Sequence, residues 1–185
     1  MSTYRIALIV GSISRVSLNR KFANALVRLA PPEFTFNHVQ LDDLPLYNPD
    51  DDVHPSVPAI RLKREIAEAD GLMFVTPEYN RSITSVLKNA LDHVSRPYGQ
   101  NTWAGKPAGI VGISVGAAGT AMAQQHLRNI LAYLDVPVLG QPEVFVQAKE
   151  GLYDADGSIG VASRQFLQTW MDRYAAWIMQ FAHST

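Results

Sequence analysis

The sequence predicts a three-layer α/β/α domain built on a five-stranded parallel sheet. Short apolar runs alternate five times with longer amphipathic ones, the pattern of strands buried on both faces beneath crossover helices. The loops leaving the first, third and fourth runs would all emerge at the carboxyl edge of such a sheet, and they are the three chemically unusual stretches of the chain. With 185 residues, 47% of them hydrophobic, one domain with a sizeable core is expected over residues 1–185 rather than two small ones.

Taken in order, Tyr4 to Val10 is a β-branched-rich first strand, and Gly11 to Val16 is a loop of small polar residues. Ser17 can cap the helix that follows, whose Phe22, Ala25, Leu26 and Leu29 share one face before Pro31-Pro32 ends it. Phe34 to Leu41 reads as a second strand, less apolar and so nearer an edge. Asp42 to Pro58 is a long Asp- and Pro-rich excursion with too few apolar positions for a helix. Pro58 suits the first turn of a second helix running to about Ala69, and Asp70-Gly71 leads into the third strand, Gly71 to Val75. Ser85 to Val94 is the third helix, Ser95 to Lys106 a polar loop, and Pro107 to Ile113 the fourth strand. Thr120 to Leu134 is a helix with Ile130, Leu131 and Leu134 inward. The last strand falls within Val136 to Val146, interrupted by Gly140 and Pro142, and Asp154 to Gly157 is a surface turn. In the closing helix Phe166, Trp170, Tyr174, Trp177 and Phe181 recur every three or four residues, an aromatic stripe for the core.

A formal net charge of −1 with dispersed Lys and Arg offers no basic stripe for nucleic acid or an anionic membrane, so small molecules and other subunits are the expected partners. Cysteine is absent, which excludes disulfides and thiolate chemistry and is compatible with a reducing compartment. Met1 to Val10 is too short to span a membrane and has neither a basic leader nor a cleavage site, so a cytoplasmic protein is expected. His38, His54, His93, His126 and His183 lack metal-ligand spacing. Asp42, Asp43 and Asp50 to Asp52 read as a solvated loop rather than a cation site.

The first unusual loop, Gly11-Ser12-Ile13-Ser14-Arg15-Val16-Ser17-Leu18-Asn19, sets backbone N–H groups at a helix N-terminus beside hydroxyls, an amide and a guanidinium. Such donors converge on a phosphate dianion, though an ordinary well-capped turn has the same composition. Neither G-x-G-x-x-G nor G-x-x-x-x-G-K-[ST] occurs, which disfavours a Rossmann dinucleotide or ATP and favours a phosphate held by hydroxyls, the logic of flavin mononucleotide (FMN) in flavodoxin-like sheets. Pro77-Glu78-Tyr79-Asn80 would wall a flavin, with backbone groups at its polar edge and Tyr79 beside its face; the plainer reading is a tight turn in which Asn80 tolerates a left-handed backbone. Ser114-Val115-Gly116-Ala117-Ala118-Gly119 has small residues that would let backbone approach the ring or let helices pack closely.

Together with Leu87-Lys88-Asn89-Ala90-Leu91-Asp92 and Ala104-Gly105-Lys106-Pro107, these loops resemble the NADPH-dependent FMN reductase family. His126-Leu127-Arg128 through Pro142-Glu143 is similar to its quinone and chromate reductase branch. The resemblance implies a flavodoxin-like fold with strand order 2-1-3-4-5, working as a homodimer or homotetramer. It implies hydride transfer from NADPH or NADH to flavin N5 and onward to quinones, azo compounds, chromate or free flavin, in ping-pong fashion. By position, Ser12, Ser14, Arg15, Ser17, Leu18 and Asn19 would hold the phosphate, Pro77, Glu78, Tyr79 and Asn80 the isoalloxazine, and Ser114, Val115 and Gly116 its far edge. Arg128 and Glu143 would lie at a tetramer interface, and no side chain would act as a catalytic acid, base or nucleophile. Ser14 stands where the family often has a basic residue, and Arg81 and Thr84 replace the commoner small residue and proline.

Two competing readings remain. Gly112-Ile113-Ser114-Val115-Gly116 fits the G-x-S-x-G elbow of a serine esterase, with Asp135 or Glu143 and His183 as its order-compatible partners. A flavodoxin-type electron carrier would share the fold, but such carriers steer their partners with strongly charged faces, and this balance is near neutral. Leu44-Pro45-Leu46-Tyr47 is expected to reach toward the flavin, of its own or a neighbouring subunit.

Overall fold

The computed structural model describes residues 3–182. Five strands form one parallel sheet: β1 (Tyr4–Val10), β2 (Phe34–His38), β3 (Gly71–Val75), β4 (Ala108–Ser114) and β5 (Phe145–Gln147). Their order is β2-β1-β3-β4-β5, as expected of a flavodoxin-like sheet. The register sets Ile6 against Phe36, Leu8 against Met73, Phe74 against Ile110 and Ile113 against Val146.

Five helices flank the sheet: α1 (Leu18–Leu26), α2 (Val57–Glu68), α3 (Ser85–Val94), α4 (Ala121–Tyr133) and α5 (Val161–Ala182). Successive side chains of a strand point to opposite faces, so the central strands feed two core layers. Ile6, Leu8 and Val10 meet Phe22 and Leu26 of α1 and Trp170, Tyr174 and Ile178 of α5. Ala7, Ile9, Leu72 and Phe74 meet Leu62 and Ile66 of α2, Leu87 and Leu91 of α3, and Leu127 and Leu131 of α4. α5 lies close because two sheet positions carry no side chain: a Cβ at Gly109 would stand 2.5 Å from the Tyr174 ring, and one at Gly71 2.5 Å from Ile178. Tyr174 stacks on Trp170 with ring centroids 5.2 Å apart and donates its hydroxyl to the Leu72 carbonyl at 3.1 Å.

Ser17 caps α1 and Pro58 sits in the first turn of α2, as the sequence suggests, and the structure adds side-chain caps from Ser56 on α2 and Thr84 on α3. The acidic excursion forms only a short 3-10 turn, Pro49–Asp51, and Asp43 pairs with Arg61 at 2.9 Å.

Three expectations are corrected in detail. The stretch read as a polar loop, Ser95 to Lys106, buries Trp103 completely against Phe74, with the indole N–H on the Leu91 carbonyl at 3.1 Å. The last strand divides around Gly140 and Pro142 into a single bridge, Val138 to Ala108, and the three-residue β5, which runs one residue past the predicted range. In the closing helix the aromatic stripe is core at Trp170 and Tyr174, while Phe166 remains exposed near the start of the helix.

Candidate functional site

The three loops singled out in the sequence meet at the carboxyl edge of β1, β3 and β4. They are bound to one another before any ligand is considered. Gly11 N–H donates to the Val75 carbonyl at 2.9 Å, and Thr84 Oγ1 donates to the Gly11 carbonyl at 2.7 Å. Thr84, noted in the sequence only as a departure, therefore joins the first loop to the start of α3 while also capping that helix.

In the first loop Ser12 is buried, whereas Ser14 and Arg15 are exposed. Ser14 Oγ accepts from Val16 N–H at 3.4 Å and Ser17 Oγ from Arg20 N–H at 3.1 Å, so both hydroxyl hydrogens can still turn outward. The first turn of α1 has no acidic side chain to compete for the positive end of the helix dipole. This donor set fits a phosphate dianion. Asn19 has a different place: 3% exposed, it donates Nδ2 to the Ile113 carbonyl at 2.9 Å and accepts Ile113 N–H on Oδ1 at 3.1 Å. Its carboxamide braces α1 against β4.

The middle loop begins at the buried Thr76, and Pro77 has no N–H with which to continue the ladder. Tyr79 and Ser82 exchange backbone hydrogen bonds at 2.9 and 3.0 Å across Asn80 (φ 52°) and Arg81 (φ 67°). Two successive left-handed residues make this a type I′ turn, which Asn suits and Arg does not. The turn presents Tyr79 at 56% exposure, and a contact of 3.0 Å between Ser82 Oγ and His126 Nδ1 ties it to α4. The Glu78 side chain, 10% exposed, is engaged within the protein: Oε2 accepts the N–H groups of Met122 and Ala123 at 3.0 and 3.1 Å, and Oε1 pairs with Arg81 at 3.3 Å.

The glycines around the last loop divide between the two roles the sequence left open. Gly112 and Gly119 serve packing: a Cβ at Gly112 would overlap the Thr76 carbonyl oxygen and Thr120 Oγ1, and one at Gly119 (φ 55°) would stand 2.6 Å from the Phe145 backbone. At Gly116 the nearest atom to an added Cβ is Ser114 Oγ, 3.8 Å away, so the space beside it is open. Val115 next to it is exposed. Ser114 donates Oγ to the Gly116 carbonyl at 3.1 Å and pairs with Gln147 as the last residue of β4. It is not among the residues with positive φ, so the sharp backbone turn of a nucleophile elbow is not made there. His183, the histidine of that alternative, lies outside the described residues.

Two further predicted groups lie elsewhere. Arg128 and Glu143 form an ion pair at 3.5 Å within the chain, with Arg128 Nη1 on the Leu139 carbonyl and Gln125 on Glu143. Burial pulls the Arg128 pKa down, and Glu143 opposes that shift. Tyr47 is committed to α3 and the acidic loop: its N–H donates to Asn89 Oδ1 at 2.8 Å, its hydroxyl to Asp52 at 3.2 Å, and its ring meets His93 edge-on at 5.4 Å.

Against known proteins, a family model described as NADPH-dependent FMN reductase matches residues 4–151. The chain belongs to this family. Its relatives include a 2-hydroxy-1,4-benzoquinone reductase of a Burkholderia species, 52% identical over 94% of this chain and 96% of that one. A quinone reductase of Pseudomonas putida is 43% identical over 95% of each chain. Among solved structures, the flavoenzyme NAD(P)H:(acceptor) oxidoreductase FerB from Paracoccus denitrificans superposes with a TM-score of 0.93 at 38% identity, covering 97% of this chain and 99% of its own. As a member of the FMN reductase family the chain is an oxidoreductase whose cofactor is FMN and whose electron donor is NAD(P)H. Among the described residues no helix is long and apolar enough to cross a membrane, and no group of three His, Asp or Glu could hold a metal ion.

Proposed function

We propose that this FMN reductase family member reduces quinones, with hydroxylated benzoquinones as the preferred class and azo compounds, chromate and free flavin as further acceptors. The observation that carries the reading is the convergence of a hydroxyl-rich helix N-terminus, an exposed aromatic turn and an open glycine on one sheet edge. The named activities of the two quinone reductases support the acceptor class.

Ser12, Ser14, Arg15, Ser17 and Leu18 would surround the phosphate, with Asn19 holding their helix in place. Backbone groups of Pro77 to Asn80 and of Ser114 to Gly116 would border the ring, and Tyr79 would cover part of it. FMN, when bound, would supply the redox chemistry, hydride acceptance at N5 from the nicotinamide and electron delivery to the acceptor. The protein's part is to leave one face accessible, so donor and acceptor occupy it in turn, which gives ping-pong kinetics. The whole chain serves as one FMN-binding domain in the cytoplasm. It assembles as a homodimer or homotetramer, a reading supported by the exposed Tyr98 and Tyr133 beside the groove between α3 and α4.

The purified protein is expected to be yellow, or to become so on adding FMN, and to give parallel lines in double-reciprocal plots for NADPH and 2-hydroxy-1,4-benzoquinone. Intersecting lines would remove the shared face. A colourless protein that binds no FMN and cleaves a p-nitrophenyl ester would return the reading to Ser114.

A further inference from the structure

We infer that the Glu78 side chain is a positioning residue that sets the spacing between two walls of the flavin site by capping α4, a helix to which it is not adjacent in sequence. The inference rests on the FMN reading above. Every helix begins with N–H groups that no residue of its own backbone can satisfy, and a side chain just before the helix usually accepts them. In α4 that position is Thr120, and it cannot serve. Its backbone is left-handed (φ 74°), it makes no side-chain cap, and its hydroxyl accepts from Gln124 Nε2 at 3.0 Å. Gln124 is itself fully buried and spends a second N–H on the Val144 carbonyl at 2.8 Å, so this arrangement is fixed from below.

The vacant role falls to Glu78. One carboxylate oxygen takes both Met122 and Ala123 N–H groups, and the bare Gly112 lets the Thr76 carbonyl and the Thr120 side chain approach closely enough for it to reach. The Ser82–His126 contact adds a second tie one turn further along α4. The last loop ends where α4 begins, so the turn bearing Tyr79 and the segment from Ser114 to Gly119 are held as one piece. A gap set before the ligand arrives lowers the cost of ordering the site around it.

The test uses the apo protein and FMN, with Glu78→Ala and Glu78→Gln. Glutamine keeps a carbonyl oxygen able to accept both N–H groups and discards only the charge. Met122 and Ala123 amides are expected to be protected from hydrogen exchange in the wild type and Glu78→Gln, and to exchange faster in Glu78→Ala. FMN affinity, followed by quenching of flavin fluorescence, is expected to fall on the order of tenfold in Glu78→Ala and to recover to within about threefold of wild type in Glu78→Gln. Should Glu78→Ala not fold, Glu78→Asp, one methylene too short for the same span, takes its place with the same expectation. Unchanged protection and affinity in the truncated variant would overturn the inference, as would a glutamine variant as weak as the alanine one. Failure of the wild type to bind FMN would instead sink the cofactor reading, while the exchange data would still judge the cap.

Discussion

A methyl group at position 112 would collide with the Thr76 carbonyl and with Thr120 Oγ1, and both neighbours are backbone or fully buried. Neither can give way cheaply, so Gly112→Ala is expected to cost roughly 1–3 kcal/mol, read as a lower denaturant midpoint. FMN binding is expected to weaken in the same variant, because the overlap lies between two of the loops. Residue by residue, what could be read in advance was conformational tolerance. Asn80 is left-handed as its side chain permits, and Ser17 caps α1. The left-handed Thr120 was not legible, since a β-branched residue disfavours that region and only the Gln124 bond and the surrounding packing explain it. Nor was the inward turn of Asn19, whose partner lies 94 residues away.

At the level of elements, periodicity was sufficient where the apolar pattern runs unbroken from one end of a segment to the other. β1, β3 and α3 fall on the predicted residues, and the three loops follow because they lie between such segments. It was insufficient where a single side chain decides, as at Trp103, which enters the core from a polar stretch. The end of α4 offers a direct check. Val136 N–H bonds to the Leu131 carbonyl at 3.0 Å and Asp135 N–H to that of Ala132 at 3.3 Å, the paired bonds of a Schellman motif with Asp135 left-handed (φ 57°). An L-residue is strained there, and an acidic one faces the negative end of the helix dipole. Asp135→Gly is therefore expected to stabilise the protein by about 0.5–1 kcal/mol, net of glycine's greater freedom when unfolded, with the denaturant slope unchanged. A loss of stability would show that the Asp135 side chain has a use that the fold does not reveal.

Over the whole molecule, the α1 and α5 side of the sheet holds phenols that folding keeps neutral. Burial pushes the Tyr153 hydroxyl up to about 12 and that of Tyr174 well above its ordinary value. In the unfolded chain both would titrate near about 10. Both folded values are raised, so their contribution is fully present below about pH 10 and is lost as pH rises through the folded values, about 12 for Tyr153. Urea melts from pH 8 to 11 are expected to show this decline. Tyr153 Oη is buried and has no hydrogen-bond partner, so Tyr153→Phe is expected to be neutral or slightly stabilising at pH 7 and to flatten the decline. A decline as steep as wild type would place the effect on Tyr174 or other groups. The carboxamide of Asn19, finally, behaves as a borrowed peptide unit. Ile113 presents its N–H and carbonyl toward the side where β3 has already turned away at Pro77, and a side chain from α1 supplies the missing rung. The sheet thus has a sixth, one-residue strut spanning the crevice, and the loop above it is an abutment rather than a hinge. Accommodation on ligand entry is then left to side chains, such as the exposed Tyr79 and Val115, rather than to the backbone that carries them.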